Sequence, residues 1–478
     1  MGPAIWWVRR DLRLHDNPAL EDALRSTGLV LPVYVHAPDE EGEWAAGAAS
    51  RWWLHHSLEA LRAACRARGG ELVIRRGATA EVLARLARRT GAGLVVHNRL
   101  HEPAARGQQE RVERLLGNAG IEVRAHRGTL LHEPDAVRTT AGNGYRVFTP
   151  FARRLATQGP GVRPLGAPRR LPAPEPLPEA GRLGALDLLP RPDRAGGLCG
   201  AWLPGEAGAL ARLRAFTRDG LHAYRESRDP PGSPGTSRLS PHLHFGELSP
   251  RRLWWRTRGN GDGASAFRRQ LLWREFAHHV LHHWPRTPDE PLDAGFRDFP
   301  WRGGHGALLA AWRRAETGFP LVDAGMRELW QCGWMHNRVR MVAASLLVKN
   351  IRAPWQEGAR WFWDTLVDAD LADNTLGWQW AGGCGADAAP YFRVFNPVRQ
   401  GERFDPAGTY VRRWLPELAG VPAPRLHAPW TLSAREQRAC GVIIGRDYPA
   451  PVVDLRASRE EALAAFARLR SAVRHRRR

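Results

Sequence analysis

MGPAIWWVRRDLRLHDNPALEDALRSTGLVLPVYVHA, residues 1–37, contains the pattern that decides the fold of the first part of the chain. Its two apolar runs, at 4–8 and 29–37, have the length of buried strands. The motif Asp16-Asn17-Pro18 between them is typical of a helix start and predicts a helix over 18–26. A strand, a helix and a second strand in this order favour two parallel strands joined by a right-handed crossover.

The same alternation continues to about residue 130. Further strands are predicted at 71–76, 94–98 and 121–126, and further helices at 48–68, 79–90 and 102–118. The fold class is therefore α/β, with a parallel, doubly wound, Rossmann-like sheet. The turn after the first strand has no GxGxxG and the chain has no GxxxxGK[ST], so we place no dinucleotide on this sheet.

The rest of the chain has a different pattern. A stretch rich in Pro and Gly at 159–205 is interpreted as a long connector without regular elements. Beyond it, helical spacing predicts an all-α domain. The predicted domains are 1–132 (α/β), 133–205 (connector) and 206–478 (helical). The predicted helices are 206–219, 249–258, 263–283, 305–317, 320–350, 355–367 and 458–474, the last opened by a capping box, Ser458-x-x-Glu461.

Composition limits the function classes. Of 478 residues 43% are hydrophobic, which excludes wholesale disorder, and no apolar run is long enough for a membrane span. The first residues lack the order of a secretory signal. The five cysteines are scattered and form no CxxC pair, which is not the pattern of a disulfide framework or a metal cluster, so we expect no metal and a cytoplasmic protein.

Charge and aromatic content indicate a partner. Lys and Arg total 70 against 49 Asp and Glu, a net charge of +21 that is typical of polyanion binders. Codon bias is the competing explanation, because Lys349 is the only lysine. The 21 tryptophans are more than a core needs, and tryptophan is easily oxidised and stacks on planar rings. Core packing remains the alternative for each of them.

Two segments have residues suited to chemistry. Residues 235–241, GTSRLSP, combine hydroxyls and an arginine before a proline, which suits a pyrophosphate, although an ordinary capping loop has the same residues. Residues 366–374, LVDADLADN, place carboxylates in an apolar region where buried charges need partners. The arginines of 334–341 are candidate partners. His336, in the same segment, is expected to be structural.

Several motifs, taken together, resemble the photolyase/cryptochrome family. They occur in the family's order along nearly the whole chain: VRRDLRLHDNPAL (8–20), GTSRLSPHLHFGELSP (235–250), LLWREF (271–276), GFPLVDAGMRELWQCGWMHNRVRMVAASLLVKN (318–350), DADLADNTLGWQWAGGCGADAAPYFRVFNP (368–397) and YVRRWLPEL (410–418). The resemblance implies an α/β domain, a connector and a helical domain that binds FAD non-covalently. It also implies light-driven repair of cyclobutane pyrimidine dimers in DNA, in which excited reduced FAD donates an electron to a flipped-out dimer.

The resemblance also implies roles for individual residues. The residues matching the FAD contacts are Tyr224, Thr236, Ser237, Arg238, Leu239, Ser240, Arg340, Asp368, Asp370 and Asn374. Among them, Arg340 and Asp368 match an ion pair beside the flavin ring, and Asn374 matches the residue that faces the flavin N5. Trp378, Trp355 and Trp301 match the chain that passes electrons from solvent to the flavin, with Trp301 aligned only across a one-residue gap.

On the DNA side, the resemblance implies a pocket for the extruded lesion, for which aromatic walls and an arginine rim are suited. The matching residues are Arg228, Gln270, Trp273, Arg274, Asn337, Arg338, Met341 and Trp380. Gln270 departs from the Glu usual in dimer photolyases and is shared with many (6-4) photolyases and cryptochromes. Asn337, where the (6-4) branch has a second His, favours the cyclobutane dimer, so we expect retained but weakened repair.

The antenna and the rival functions stay open at this point. The Asn-Glu pair that holds folate in some bacterial photolyases aligns with Ala104-Ala105, whereas 43–54 resembles the branch near plant cryptochromes. Three alternatives remain for the antenna chromophore: methenyltetrahydrofolate bound by residues other than that pair, a deazaflavin, or no antenna chromophore. A cryptochrome-type blue-light receptor and (6-4) repair are the alternative functions. The expected partner is UV-damaged DNA, and the expected state is a monomer away from membranes.

Overall fold

The computed structural model describes residues 2–159, 161–190, 196–388 and 392–476. The chain forms two compact units: unit 1 contains 1–222, 237–285 and 367–372, and unit 2 contains 223–236, 286–366 and 373–478. The predicted division at 132/133 and 205/206 stays a prediction. Parts of the predicted connector (160 and 191–195) and of the motif 368–397 (389–391) lie outside the described residues.

Unit 1 is built on a five-stranded sheet. Its strands are β1 (Ala4–Val8), β2 (Val30–His36), β3 (Val73–Arg76), β4 (Leu94–Asn98) and β5 (Glu122–His126). Their order is β3-β2-β1-β4-β5, and every neighbouring pair is parallel, with Ala4 opposite both Val30 and Leu94. The predicted α/β class and all five predicted strands are confirmed. β1, β2 and β4 are buried along their whole length, as expected for a parallel sheet covered on both faces.

Four helices connect these strands: α1 (Pro18–Thr27), α2 (Ala48–Arg66), α3 (Thr79–Thr90) and α4 (Pro103–Asn118). The predicted start of α1 is confirmed, because the Asn17 side chain accepts a hydrogen bond from the Leu20 backbone N–H at 3.2 Å. Apolar faces of α3 and α4 join the sheet in one buried core with Ile5, Val33 and Val95. The sheet therefore forms where the apolar periodicity predicts it.

The turn after β1 is filled by its own side chains. Asp11 accepts hydrogen bonds from Arg9 N (2.7 Å), Asn17 Nδ2 (3.1 Å) and Asn98 Nδ2 (2.6 Å). Asp11 itself is fully buried. A buried carboxylate stands where a Rossmann fold offers backbone N–H groups to phosphate, which is the physical reason to place no dinucleotide at this turn.

The remaining helices lie in both units. They are α5 (Phe148–Gln158), α6 (Gly196–Ala201), α7 (Glu206–Ala215), α8 (Tyr224–Ser227), α9 (Ser240–His244), α10 (Pro250–Arg256), α11 (Asp262–His283), α12 (Gly306–Arg313), α13 (Pro320–Cys332), α14 (Asn337–Ser345), α15 (Trp355–Thr365), α16 (Leu371–Gly382), α17 (Pro397–Phe404), α18 (Thr409–Trp414), α19 (Ala423–Leu426), α20 (Ala434–Cys440) and α21 (Leu455–Arg476). The prediction of a helical second half is confirmed.

Three local predictions are wrong. The helix predicted over 320–350 is two helices, α13 and α14, because Gly333 adopts φ 63° and closes α13 with a bond to Leu329 O. The last helix begins at Leu455 rather than at Ser458, whose hydroxyl instead accepts a hydrogen bond from Asn350. The stretch 159–205 was expected to lack regular elements, yet α6 forms within it. Among the described residues, no helix is long and apolar enough to cross a membrane.

Candidate active site

Two of the three predicted electron-transfer tryptophans lie on neighbouring helices of unit 2. Trp355 begins α15 and Trp378 lies on α16, and both are 2% exposed. A Cβ added to Gly358, one turn after Trp355, would lie 2.0 Å from Trp378 Cη2. Only a glycine lets the Trp378 indole lie directly on the α15 backbone, so Gly358 allows this ring to pack one helical turn from Trp355.

Trp301 is half-buried and contacts other aromatic rings. Its ring centroid lies 4.5 Å from that of Phe299, which in turn lies 5.9 Å from Phe392. Trp301 thus borders a cluster of phenylalanine rings, and its electron-transfer role stays a prediction.

Two aromatic neighbours of Trp378 were missed by the sequence analysis. Phe362 of α15 lies 5.0 Å from Trp378 between ring centroids, and Trp312 of α12 lies 6.1 Å away. Trp312 is fully buried, and its indole N–H donates to Ala343 O at 3.0 Å. Because Phe362, Trp312 and Trp378 lie on three different helices, no spacing in the sequence predicts that their rings are neighbours.

Asn374 is held in place by α15. Its amide Nδ2 donates to Ala359 O at 3.0 Å. Because Asn374 and Trp378 are four residues apart on α16, they share one helix face. The residue matched to the flavin N5 contact and the residue matched to the first electron donor are therefore presented side by side.

Asp370 in unit 1 is buried between two histidines. One of its oxygens lies 3.3 Å from His244 Nδ1 and the other lies 3.4 Å from His278 Nε2. Burial alone would raise the pKa of Asp370, but the two histidines hold it well below its ordinary value. The same contact raises the pKa of His278 despite its burial. The carboxylate is thus ionised and can accept hydrogen bonds.

Neither histidine was singled out from sequence, although His244 lies within the quoted motif 235–250 and His278 lies two residues beyond the motif 271–276. An ion pair between Arg10 and Glu102 completes this buried set, and Arg10 holds the pKa of Glu102 at about 2 against the effect of burial. Asp368 is also buried in unit 1, whereas Arg340 belongs to unit 2, where its Nε donates to Met335 O at 2.7 Å. The predicted Arg340–Asp368 ion pair stays a prediction.

The loop predicted to hold phosphates has accessible hydroxyls and a cation. In unit 1, Ser237 Oγ accepts from Leu239 N at 3.4 Å, and the exposed Ser240 opens α9. Arg238 adopts φ 51°, and its guanidinium lies 4.5 Å from the centroid of the Trp202 ring. Thr236 and Tyr224 belong to unit 2, where Tyr224 is buried beside Arg228. The donor set of this loop fits the diphosphate of FAD.

The arginines matched to the DNA contacts in unit 2 are anchored by one carboxylate. Arg338 donates to Asp229 Oδ1 at 2.8 Å, and Arg228 Nε lies 3.8 Å from the same oxygen. His336 Nε2 contacts Arg228 O at 2.9 Å, and its Nδ1 accepts from Arg338 N at 3.1 Å. Burial lowers the pKa of His336 to about 4, so the ring is neutral with its proton on Nε2. This is the structural role that the sequence predicts for His336.

The other DNA-side candidates of unit 2 present an amide and two apolar groups. Asn337 is exposed, with its Nδ2 3.9 Å from Met341 Sδ. Trp380 is half-buried and stacks on Phe395 with ring centroids 6.3 Å apart. Such surfaces can contact a planar base on one side and hydrogen-bond its edge on the other.

In unit 1, the side chains matched to the lesion pocket lie on α11. Trp273 stacks on Phe148 with centroids 3.7 Å apart and an angle of 4°. Arg274 donates to Thr129 O at 3.1 Å, which fixes its guanidinium. Gln270 Nε2 donates to Ala266 O at 3.4 Å along the helix. Stacking on Phe148 therefore holds the Trp273 ring in place, and the Gln270 amide is hydrogen-bonded to the backbone of its own helix.

A cavity of about 460 Å³ lies in unit 1, where residues that follow β4 and β5 meet. Its lining residues are Arg99, Leu100, His101, Arg106, Gln109, Arg127, Glu133, Asp135, Ala136 and His282. His101 is 7% exposed, and within the described part of the chain its Nε2 has no hydrogen-bond partner. Cations predominate in this lining, so it suits an anionic ligand.

Comparison with known proteins identifies the two halves of the chain. The family described as "DNA photolyase" matches residues 4–175, and the "FAD binding domain of DNA photolyase" matches residues 267–468. The chain is 44% identical to the deoxyribodipyrimidine photo-lyase of Agrobacterium fabrum over 98% of each chain. It is 37% identical to Cryptochrome-1 of Arabidopsis thaliana over 99% of this chain and 72% of that protein.

Solved structures agree with these sequence relations. A bacterial class III photolyase from Agrobacterium tumefaciens superposes with a TM-score of 0.94 at 43% identity, covering 98% of both chains. The cryptochrome of Synechocystis superposes with a TM-score of 0.88 at 32% identity, covering 97% of this chain and 99% of that one. A Rossmann-like sheet together with a helical FAD-binding domain defines the class of flavoprotein that includes photolyases and cryptochromes. Within that class, this chain belongs to the DNA photolyase family.

Proposed function

We propose that the protein repairs cyclobutane pyrimidine dimers in DNA in a reaction driven by light. The observation that carries this proposal is the shared helix face of Asn374 and Trp378, with the Trp378 indole against the α15 backbone at Gly358, one turn after Trp355. FAD, when bound, reduced and excited, supplies the electron that splits the dimer. Support also comes from the relatives of Agrobacterium and Thermus thermophilus, which are themselves named deoxyribodipyrimidine photo-lyase.

The chain's own residues have separable tasks in this proposal. Asp370, kept ionised by His244 and His278, accepts a hydrogen bond from the ring and orients it. Asn374, fixed by Ala359 O, offers a neutral amide oxygen rather than an acid, so no carboxylic proton stands at that position. The tryptophans carry electrons inward when the cofactor arrives oxidised.

Lesion binding is assigned to the aromatic and cationic groups of each unit. Trp273 and Trp380 offer ring faces, while Arg228, Arg338 and Arg274 are held by protein partners at fixed positions. Base stacking on an aromatic ring contributes about 1–3 kcal/mol per base. A dimer is already poorly paired, so extruding it costs less than extruding a normal base.

The test is repair of two lesions side by side. Oligonucleotides carrying either a cyclobutane thymine dimer or a (6-4) photoproduct are illuminated with the chemically reduced protein. We expect recovery of thymine absorbance only with the dimer. Illumination of the same mixture with oxidised protein and no reductant is the control, and failure to repair the dimer would overturn the proposal.

The second candidate function is a cryptochrome-type photoreceptor. Gln270 favours it, because its amide is turned to Ala266 O and it cannot share a proton with the lesion as a Glu could. Under this alternative, light changes binding to a partner protein while neither lesion is repaired. Gln270→Glu separates the two: it raises dimer repair if the protein is a photolyase weakened at this position, and it has no effect on a receptor.

We further propose that the 460 Å³ cavity holds a light-harvesting chromophore. The Sulfolobus tokodaii relative is described as containing two FAD molecules, with a novel light-harvesting cofactor implied. Here the cationic lining favours methenyltetrahydrofolate, whose carboxylates arginine can pair, over a deazaflavin or an empty site. Extraction and mass analysis of the bound chromophore tests this. Replacing Arg106 and Arg127 with Ala should remove it while FAD is retained.

We propose that the protein works in the cytoplasm as a monomer. No disulfide joins any of the five cysteines, all of which lie in the described part of the chain, and this fits a reducing compartment. Sedimentation with and without damaged DNA tests the monomeric state.

A further inference from the structure

Lys349 is the only lysine of the chain, and it is buried in unit 2 with 1% exposure. It lies in residues 346–351, a wide helical turn that continues α14. Burying a lysine is costly unless its amine is bound on several sides. No acidic side chain pairs with it within the described residues, so a role in a salt bridge does not explain its place.

The amine is instead bound by a carbonyl and a ring. Its Nζ donates to Gly382 O at 2.7 Å and lies 3.0 Å from the centroid of the Phe392 ring. A Cβ added to Gly383 would lie 3.2 Å from Nζ, so the amine fills the space beside the end of α16. Burial moves the pKa of Lys349 well below its ordinary value, and the amine donates this hydrogen bond in either protonation state.

Both groups that Lys349 binds adjoin the tryptophan chain. A Cβ at Gly382 would lie 3.8 Å from Trp355 Cδ1. On the other side, Phe392 contacts Phe299, and Phe299 contacts Trp301. The Nζ atom thus joins the backbone beside Trp355 to the phenylalanines beside Trp301.

The segment that carries Lys349 is also attached to the Trp301 loop directly. Arg302 N, the next residue after Trp301, donates to Arg352 O at 2.9 Å. Arg352, which follows the segment directly, therefore holds the backbone next to Trp301, while Lys349 holds the backbone next to Trp355. Small displacements of reacting groups have large effects on rate, so this segment is suited to set the separation of the two indoles.

We propose that Lys349 is the positioning residue for the second electron transfer between tryptophans, from Trp301 to oxidised Trp355. In that step one electron leaves Trp301 and restores Trp355, and an external thiol then reduces Trp301. This inference rests on the proposed function, since it assumes that the tryptophans reduce bound FAD. Lys349 touches neither indole nor cofactor in the contacts above and acts through Gly382 and Phe392.

Transient absorption of Lys349→Met tests the proposal, because methionine keeps the length and the apolar stem but donates no hydrogen bond. We expect the first transfer between tryptophans, from Trp355 to Trp378, to keep its rate and the second, from Trp301 to Trp355, to slow by about tenfold. Ser458→Ala is the matched control: it removes the buried hydrogen bond of the adjacent Asn350 (2.9 Å) without touching the path. Equal second-step rates in Lys349→Met and wild type would overturn the proposal.

A double-mutant cycle with Trp301→Phe separates positioning from a general loss of structure. If Lys349 acts on the Trp301–Trp355 step, Lys349→Met adds nothing once Trp301 is absent. An additional loss of photoreduction in the double variant contradicts the assignment. Should Lys349→Met fail to fold, Phe392→Leu removes the ring below Nζ and is expected to slow the same step; an unchanged step would overturn the proposal.

The same samples distinguish this inference from the proposed function. Wild-type protein that is photoreduced but repairs no lesion after chemical reduction refutes the repair function and leaves the Lys349 test intact. Wild-type protein that repairs lesions and shows no dependence on Lys349 refutes only the present inference.

Discussion

At the scale of single residues, the site depends on a few polar atoms whose partners are backbone carbonyls. Asn374 is fixed by Ala359 O, Lys349 by Gly382 O and Arg274 by Thr129 O. A carbonyl of a helix or a tight turn moves little, so each side chain is oriented before any ligand binds. This arrangement gives single substitutions effects that can be assigned to one step.

Trp378→Phe should block photoreduction of oxidised protein and leave repair by chemically reduced protein nearly intact. Phenylalanine is too hard to oxidise to replace the indole, while the cavity it leaves is small. Steady-state photoreduction and repair assays measure the two effects. Trp52→Phe, at an equally buried tryptophan of unit 1, is the control, and loss of both activities in Trp378→Phe would contradict the electron-transfer role.

Arg338→Ala should weaken binding of lesion DNA and lower the slope of log affinity against log salt by about one. The reason is the loss of one phosphate contact by a guanidinium that Asp229 now holds at 2.8 Å. Titration of a labelled duplex at several salt concentrations gives the slope. Arg446→Ala, at an exposed arginine paired with Asp447, is expected to leave it unchanged, and an unchanged slope in Arg338→Ala would count against a phosphate contact.

At the scale of elements, a buried acid in the first turn of a helix accepts hydrogen bonds from the preceding backbone. Its titration makes the stability of the helix depend on pH. Asp323, in the first turn of α13, accepts from Thr317 N (2.9 Å), Gly318 N (3.0 Å) and Tyr448 Oη (2.6 Å). Burial raises its pKa from 3.8 to about 6 despite these bonds. The folded state therefore favours the protonated acid more than the unfolded state does.

Because folding raises the pKa of Asp323, its contribution to the free energy of unfolding is expected to be largest below pH 4 and to fall as the pH rises to 6. The change is roughly 3 kcal/mol. Urea unfolding of wild type and Asp323→Asn across this range measures it, since the amide does not titrate. The destabilisation caused by the substitution should be larger at pH 4 than at pH 7, and a difference independent of pH would contradict the raised pKa.

At the scale of the whole molecule, the net charge of +21 has two explanations that the sequence leaves open. If it reflects a polyanion partner, affinity for undamaged duplex should fall by about a thousandfold between 50 and 200 mM salt. If it reflects codon bias alone, the arginines do not form a common binding surface. The affinity for undamaged duplex should then depend only weakly on salt concentration. Fluorescence anisotropy with undamaged duplex makes the measurement, with an acidic polypeptide as the non-nucleic-acid control.

The periodicity of apolar residues determined the sheet, its connecting helices and the helical second half. The reason is that the spacing of apolar residues along the chain shows which face of an element is buried. The Asn17-Pro18 start and the family motifs also needed no structure. Only the tertiary structure decided the break at Gly333, where one residue with a positive φ outweighs a continuous helical pattern. It also placed His244 and His278 on Asp370, and Lys349 between Trp355 and Trp301. These groups are far apart in sequence, and a contact made by folding between separate elements leaves no period or spacing from which it could be predicted.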